Sequence, residues 1–121
     1  IAKYGMSLCV LGMAEEFKDQ GVAVNALWPR TAIATAAVQN VLGGDELSRI
    51  SRTPEIMADA AHVILTKPSK EFTGNFCIDD NLLAENGVTD FSIYASVPFA
   101  ELATDFFVPD DILPPEAAKN S

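Results

Sequence analysis

Residues 1–19 carry apolar side chains at intervals of three and four positions, the spacing of an α-helix with one apolar stripe. Gly21 is typical of a residue that ends a helix. Gly5 and Gly12 would each cost about 1 kcal/mol relative to alanine inside a helix, which favours close packing against another element. We therefore predict a packed helix over residues 1–19, with a stripe formed by Ala2, Met6, Cys9, Val10, Met13 and Phe17.

Two short runs have the composition of buried β-strands. Residues 22–28 are apolar except for Asn25, and Pro29 ends the run, which is typical of a parallel strand covered on both faces. Residues 72–78 contain aromatic and β-branched side chains that outweigh one glycine. These two runs are the predicted strands.

Three further helices are predicted around these strands. An Ala-rich stretch over residues 31–42, closed by Gly43-Gly44, is compatible with a helix. Thr53-Pro54-Glu55 combines a hydroxyl cap, a first-turn proline and an acid near the positive helix end, which predicts a helix to about Thr66. A short helix is expected over residues 81–85.

The order helix, strand, helix, helix, strand indicates an α/β fold whose parallel strands are joined by helical crossovers. Two parallel strands alone leave unpaired edges and too small a core. We therefore expect the chain to be the C-terminal portion of a larger, doubly wound parallel sheet. The missing strands would precede Ile1 or come from another polypeptide.

Residues 95–121 lose this regularity, and we predict two parts, residues 1–94 as the α/β part and residues 95–121 as an acidic, proline-containing tail or arm. Five acids there face the single Lys119. Its prolines and large aromatic or aliphatic residues include Pro98, Phe99, Leu102, Phe106, Phe107, Pro109, Pro114 and Pro115. The apolar residues predict contact with a folded surface, its own or a partner's.

The net charge of -9 argues against nucleic acid or an anionic membrane as a partner. No apolar run approaches the roughly 20 residues of a membrane span. Cys9 and Cys77 form no CxxC motif, and a single histidine accompanies them, so we expect no metal site and two reduced core thiols. These features favour a cytoplasmic location.

Four separated segments resemble, in order, the second half of a short-chain dehydrogenase/reductase. They are residues 1–7 (IAKYGMS), 11–17 (LGMAEEF), 24–29 (VNALWP) and 72–76 (FTGNF). The resemblance implies a Rossmann-like doubly wound sheet, NAD or NADP as cofactor, and an alcohol or carbonyl compound as the small-molecule substrate. It also implies a homo-oligomer through the helix of residues 1–19, and a peroxisomal or mitochondrial location is compatible with it.

Lys3 matches the lysine of the family's YxxxK motif, which places the catalytic tyrosine two positions before Ile1. In the family this lysine lowers the pKa of the tyrosine hydroxyl and hydrogen-bonds the nicotinamide ribose. Tyr4 is a weaker candidate for the tyrosine, because Leu8 stands four positions later. The resemblance therefore assigns Lys3 a catalytic and a cofactor-binding role.

Pro29 matches the proline of a turn that contacts the nicotinamide amide in the family. Arg30 replaces the glycine that follows, and the spacing to Ile33 and Thr35, the implied cofactor contacts, is one residue longer than usual. Thr31 therefore competes with Thr35 for the hydroxyl contact. Arg30 either touches a phosphate or lies on the surface.

Trp28 closes the first strand, and ligands of open α/β sheets bind beyond the carboxyl ends of the strands. We therefore expect Trp28 to line the substrate pocket. After the second strand, Asp79 matches a family aspartate of structural role, while Asp80 stands in place of a glycine.

Two hypotheses follow. The first is that the chain is a fragment of an NAD(P)-dependent oxidoreductase that acts by hydride transfer. The second is a non-catalytic interaction or oligomerisation module, because the 121 residues contain neither the glycine-rich phosphate loop nor the catalytic tyrosine.

Overall fold

The computed structural model describes residues 2–38, 40, 44–105 and 108–120. Short 3-10 turns lie at Lys18–Gln20, Ser92–Tyr94 and Phe99–Glu101. In chain order, the helices and strands are α1 (Ala2–Glu16), β1 (Ala26–Trp28), α2 (Gly44–Arg49), α3 (Glu55–Leu65), β2 (Phe76–Ile78), α4 (Asp79–Glu85) and α5 (Glu116–Lys119).

β1 and β2 pair in parallel, which confirms the predicted α/β class with a small parallel sheet. The register pairs are Ala26–Phe76, Leu27–Cys77 and Trp28–Ile78. Both strands are shorter than predicted. Before the ladder begins, the Asn25 side chain accepts from the Asn75 backbone N–H at 3.1 Å and donates to the Phe72 carbonyl at 3.0 Å. These side-chain bonds supplement a backbone bond in the same stretch, in which the Gly74 N–H donates to the Val24 carbonyl at 2.8 Å.

The helix predicted over residues 1–19 is confirmed in position, since α1 ends at Glu16 and a 3-10 turn leads to Gly21, whose φ is 71°. The predicted buried stripe is wrong in extent. Within α1, Val10 and Ala14 are the buried residues, and Cys9 is exposed rather than in the core. The exposed large apolar side chains of α1 are Tyr4, Met6, Leu8, Leu11 and Met13.

The glycines of α1 do not make the close approach that their position predicts. A Cβ atom built on Gly5 or Gly12 would meet no described atom within 4 Å. The surface of α1 at Gly5 and Gly12 is therefore not packed against another described part of the chain.

α3 and α4 pack against each other and supply four of the eight residues of the core cluster. The helix predicted from Thr53 is confirmed as Glu55–Leu65, but the hydroxyl cap is wrong. Pro54 is the cap residue, and the Thr53 backbone N–H instead donates to the Tyr94 carbonyl at 2.7 Å. The core cluster is Ile56, Ala60, Cys77, Leu82, Leu83, Phe91, Tyr94 and Ala118.

The helix predicted over residues 31–42 is wrong at its start. Thr31 and Ile33 instead form isolated bridges, with Thr104 and Arg52 respectively. Residues 36–38 are helical, whereas residues 39 and 41–43 lie outside the described part of the chain. Gly44, predicted to close a helix, begins α2 with a φ of 63°.

The described residues of segment 95–121 fold back onto the rest of the chain. The Asp105 N–H donates to the Arg30 carbonyl at 2.7 Å, and Ala32 donates to the Ala103 carbonyl at 2.8 Å. Leu102, Val108 and Ala118 are buried. The described residues of this segment therefore contact the chain's own folded surface. None of the described helices has the length and apolar character needed to cross a membrane.

Candidate active site

A cavity of about 860 Å³ lies between α1, the carboxyl end of β1 and residues 103–105. Most of its wall is apolar, with Met6, Val10, Leu27, Leu47 and Met57 among the lining side chains. Five of the six residues predicted for the site from the sequence line this one cavity. They are Lys3, Trp28, Pro29, Ile33 and Thr35.

Lys3 lies in the first turn of α1, with an exposed side chain that lines the cavity. α1 is fixed to the end of β1 because Trp28 Nε1 donates to Ser7 Oγ at 3.0 Å, and the Tyr4 and Trp28 rings lie 5.5 Å apart. Residues four apart share one helix face, so the face that carries Ser7 also carries Lys3. The lysine is therefore held at the carboxyl end of β1.

Trp28 separates two cavities. It lines the 860 Å³ cavity and also a neighbouring cavity of about 270 Å³ that Tyr4, Phe76 and Ile78 line. The hydrogen bond from its indole to Ser7 fixes the plane of the ring. The tryptophan thus sets the width of the larger cavity on the α1 side.

The structure places Thr35, and not Thr31, at the cavity. Thr31 is fully buried, and its hydroxyl donates to the Ala32 carbonyl at 2.9 Å, which corrects its candidacy as a cofactor contact. The loop that contains Ala32 and Ala34 is held by the backbone of Arg52. The Arg52 N–H donates to the Ala32 carbonyl at 3.0 Å, and the Arg52 carbonyl accepts from the Ala34 N–H at 2.8 Å. Pairing across this loop turns Ile33 and Thr35 towards the cavity.

Arg30 is buried, which contradicts the surface position expected for it. Its Nε lies 3.0 Å from both carboxylate oxygens of Asp80. Its Nη1 donates to the Ile112 carbonyl and its Nη2 to Asn81 Oδ1, each at 2.9 Å. Each nitrogen of the guanidinium therefore already donates to a protein acceptor, which disfavours the expected phosphate contact.

Arg30, Arg52, Asp79 and Asp80 form a buried group that we call the strand-end ion cluster. Arg52 Nη1 lies 3.1 Å from Asp80 Oδ2, so one carboxylate serves two guanidinium groups. The Arg52 guanidinium also lies 5.7 Å from the Phe91 ring centre and 5.6 Å from that of Phe99, which is the geometry of cation–π contacts.

This cluster was not predicted from the sequence, although a signal for it exists. Trp28 lies opposite Ile78 in the sheet, so Arg30 and Asp80 each stand two residues past the same register pair. Two glycines of the family pattern are replaced at these positions by a cation and an anion. Once parallel pairing is known, their opposite charges predict that the two side chains meet.

Asp79 supports the turn after β1 through its backbone. Its Oδ1 accepts from the Arg30 N–H at 3.1 Å and from the Asp80 N–H at 2.8 Å. Burial, with the neighbouring Asp80 charge as a second cause, raises the pKa of the Asp79 carboxyl to about 6, although the two N–H donors and Arg52 oppose this shift. The structural role expected for Asp79 is consistent with these contacts.

In the full-length protein, Asp79→Asn is expected to reduce the pH dependence of stability. The pKa of the Asp79 carboxyl rises from 3.8 to about 6 on folding, so the protonated carboxyl stabilises the folded protein below pH 3.8. This contribution of about 3 kcal/mol is lost as the pH rises through about 6. Asparagine keeps the Oδ1 acceptor but cannot titrate. Urea unfolding at a series of pH values measures the difference.

The exposed Asp110 supplies the control for that measurement, since Asp110→Asn should leave the wild-type pH dependence in place. A wild-type slope retained in Asp79→Asn would show that another group causes it.

Among the described residues, no group of three or more His, Cys, Asp or Glu side chains is arranged to hold a metal ion.

Solved structures with a similar fold identify the class. The chain superposes on a short-chain dehydrogenase from Mycobacterium thermoresistibile with a TM-score of 0.76 and 54% identity, over 93% of this chain and 41% of that one. A protein from Xanthomonas campestris described as a dehydrogenase gives 0.77 and 53%, over 88% and 38%. The chain is homologous to a segment of the short-chain dehydrogenases, which confirms the resemblance expected from its sequence.

Within that class, the chain is similar to proteins named hydroxysteroid dehydrogenase-like protein 2. The Xenopus tropicalis protein is 56% identical over 117 residues, covering 97% of this chain and 27% of the relative. The Bos taurus protein is 59% identical over 108 residues, covering 89% and 25%. The chain spans about a quarter of the length of these relatives. No protein-family model matches it.

Proposed function

We propose that this chain forms part of an NAD(P)-dependent oxidoreductase that transfers hydride between a nicotinamide and an alcohol or carbonyl group. The observation that carries the proposal is the convergence of Lys3, Trp28, Pro29, Ile33 and Thr35 on one cavity. Similarity to dehydrogenases over most of the chain supports it. In this proposal residues 1–94 belong to the dehydrogenase domain, and residues 95–121 are an arm that packs on it.

The cavity residues fit a nicotinamide riboside. The Lys3 ammonium and the Thr35 hydroxyl supply donors, while the largely apolar wall suits a flat ring. When bound, the nicotinamide supplies or accepts the hydride. A volume of about 860 Å³ leaves room for a small-molecule substrate beside it.

Lys3 has two roles in this proposal. Its ammonium group donates hydrogen bonds to the ribose hydroxyls, and its positive charge favours the ionised form of a neighbouring tyrosine hydroxyl, which exchanges a proton with the substrate oxygen. Trp28 and the apolar side chains around it exclude water from the reacting atoms. Cys9 and Cys77 are free thiols, in keeping with a reducing compartment such as the cytoplasm.

The direct test is an assay of the purified full-length protein with NAD or NADP and a panel of secondary alcohols and ketones. We expect formation or consumption of reduced nucleotide that saturates with the alcohol or ketone. Running each substrate with both nucleotides determines the cofactor preference. Failure of every pair to react, with the protein folded, would contradict the proposal.

A second candidate function is that of an interaction or oligomerisation module, favoured by the exposed apolar face of α1. The same face would serve a homo-oligomer of the full-length protein. Titration of the isolated 121-residue chain with NADH, followed by nucleotide fluorescence, separates the two readings. Saturable binding by the chain alone would contradict a purely non-catalytic module.

A further inference from the structure

The guanidinium group of Arg30 joins three parts of the chain that are distant in sequence. From the end of β1 it reaches Asp80 at the start of α4, and the Ile112 carbonyl in the C-terminal segment. Asn81 strengthens the same connection, because it accepts from Arg30 Nη2 at 2.9 Å and donates to the Leu113 carbonyl at 3.1 Å. The C-terminal segment is thus tied to the strand ends at residues 112 and 113.

A second attachment lies on the cavity side of Arg30. The Arg30 carbonyl accepts from the Asp105 N–H at 2.7 Å, next to the bridge between Thr31 and Thr104. Ala103, Thr104 and Asp105 line the 860 Å³ cavity. One residue therefore holds the C-terminal segment through its backbone at the cavity wall and through its side chain at residue 112.

We infer that Arg30 is a positioning residue that fixes residues 103–105 as the far wall of the substrate cavity. The identity of this cavity as the substrate cavity rests on the proposed function. The attachment of residues 103–105 by Arg30 does not depend on it. The two glycines of the family pattern at positions 30 and 80 could not form such a clasp. Their replacement by a buried pair adds a side-chain attachment at residue 112 to the backbone bonds that hold the same segment at the cavity wall.

The chemistry of the clasp requires arginine. Three nitrogens of one planar group donate in three directions, to a carboxylate, a side-chain amide oxygen and a backbone carbonyl. A lysine ammonium on its flexible stem keeps the charge but cannot span all three acceptors. The charge of Arg30 and its clasping geometry can therefore be separated by mutation.

Arg30→Met in the full-length protein tests the inference. Asp80 keeps Arg52 as a partner in this variant, so the carboxylate is not left without a cation. We expect the amides of the peptides covering residues 103–105 and 108–113 to exchange hydrogen about tenfold faster, the effect of losing roughly one hydrogen bond. We also expect KM for the alcohol or ketone to rise severalfold while kcat changes little, since Lys3 is not moved.

Arg30→Lys should keep stability closer to the wild type without restoring KM or slow exchange. Arg49→Met makes the same substitution at the exposed Arg49–Glu46 pair and should change neither KM nor the exchange rates. If Arg30→Met does not fold, Asn81→Ala removes the Leu113 bond and the Nη2 acceptor with the charges intact, and should show the same pattern more weakly.

Unchanged exchange in both peptides of a folded Arg30→Met or Asn81→Ala variant would overturn the inference. Faster exchange with an unchanged KM would also overturn it, because the wall would then not shape the substrate site. If the full-length protein turned over no substrate, the exchange data would still decide whether the clasp exists. Failure of the proposed function is therefore distinguishable from failure of the clasp.

Discussion

Replacing Lys3 with alanine in the full-length protein is expected to lower kcat on the order of a hundredfold and to weaken nucleotide binding. General acid–base catalysis typically contributes at least this factor, and without the ammonium charge the partner hydroxyl ionises less readily. Alanine is the better helix former, so α1 should stay folded. Steady-state kinetics and nucleotide titration by fluorescence measure the two effects.

The pH profile separates a catalytic Lys3 from a merely structural one. If the lysine favours an ionised hydroxyl, the limb of the kcat/KM profile that this hydroxyl sets should move to higher pH in Lys3→Ala and partly return in Lys3→Arg; it is the acidic limb for alcohol oxidation and the basic limb for ketone reduction. Lys18→Ala, at an exposed lysine in the turn after α1, serves as the control and should leave kinetics intact. Wild-type kinetics in Lys3→Ala would remove Lys3 from the active site.

The parts of the site that could be predicted from the sequence depend on short-range patterns. Lys3 is located by the family motif, on a helix that the spacing of apolar residues predicts, and Trp28 by its place at the end of an apolar strand. Both line the cavity because α1 packs against the carboxyl end of β1, through the bond between Ser7 and Trp28. Local pattern and tertiary structure agree here.

The remaining features depend on contacts between residues far apart in sequence. The stretch beginning at Thr31 has helical composition, but its first residues pair instead with Arg52 and Thr104, which no local pattern indicates. The burial of Arg30 likewise depends on the strand register that places Asp80 beside it. Helix propensity amounts to a few tenths of a kcal/mol per residue, so such tertiary pairing readily overrides it.

The same dependence on register makes Asp80 a position where a single substitution should cost considerable stability. Asp80→Asn in the full-length protein is expected to lower the free energy of unfolding by about 3 kcal/mol or more, because it removes the one carboxylate that contacts both Arg30 and Arg52. Asparagine has nearly the same shape, so the loss reports charge rather than volume. Urea unfolding at neutral pH measures it.

Two comparisons show whether burial of the cluster causes that loss. Glu46→Gln removes the anion of an exposed pair with Arg49, and should cause no measurable loss because solvent screens such pairs. In the double variant Arg30→Met with Asp80→Asn, one of the two buried cations disappears together with the anion. Its destabilisation should therefore be smaller than the sum of the single losses. A loss in Asp80→Asn no larger than that in Glu46→Gln would mean that the Asp80 charge does not stabilise the strand ends.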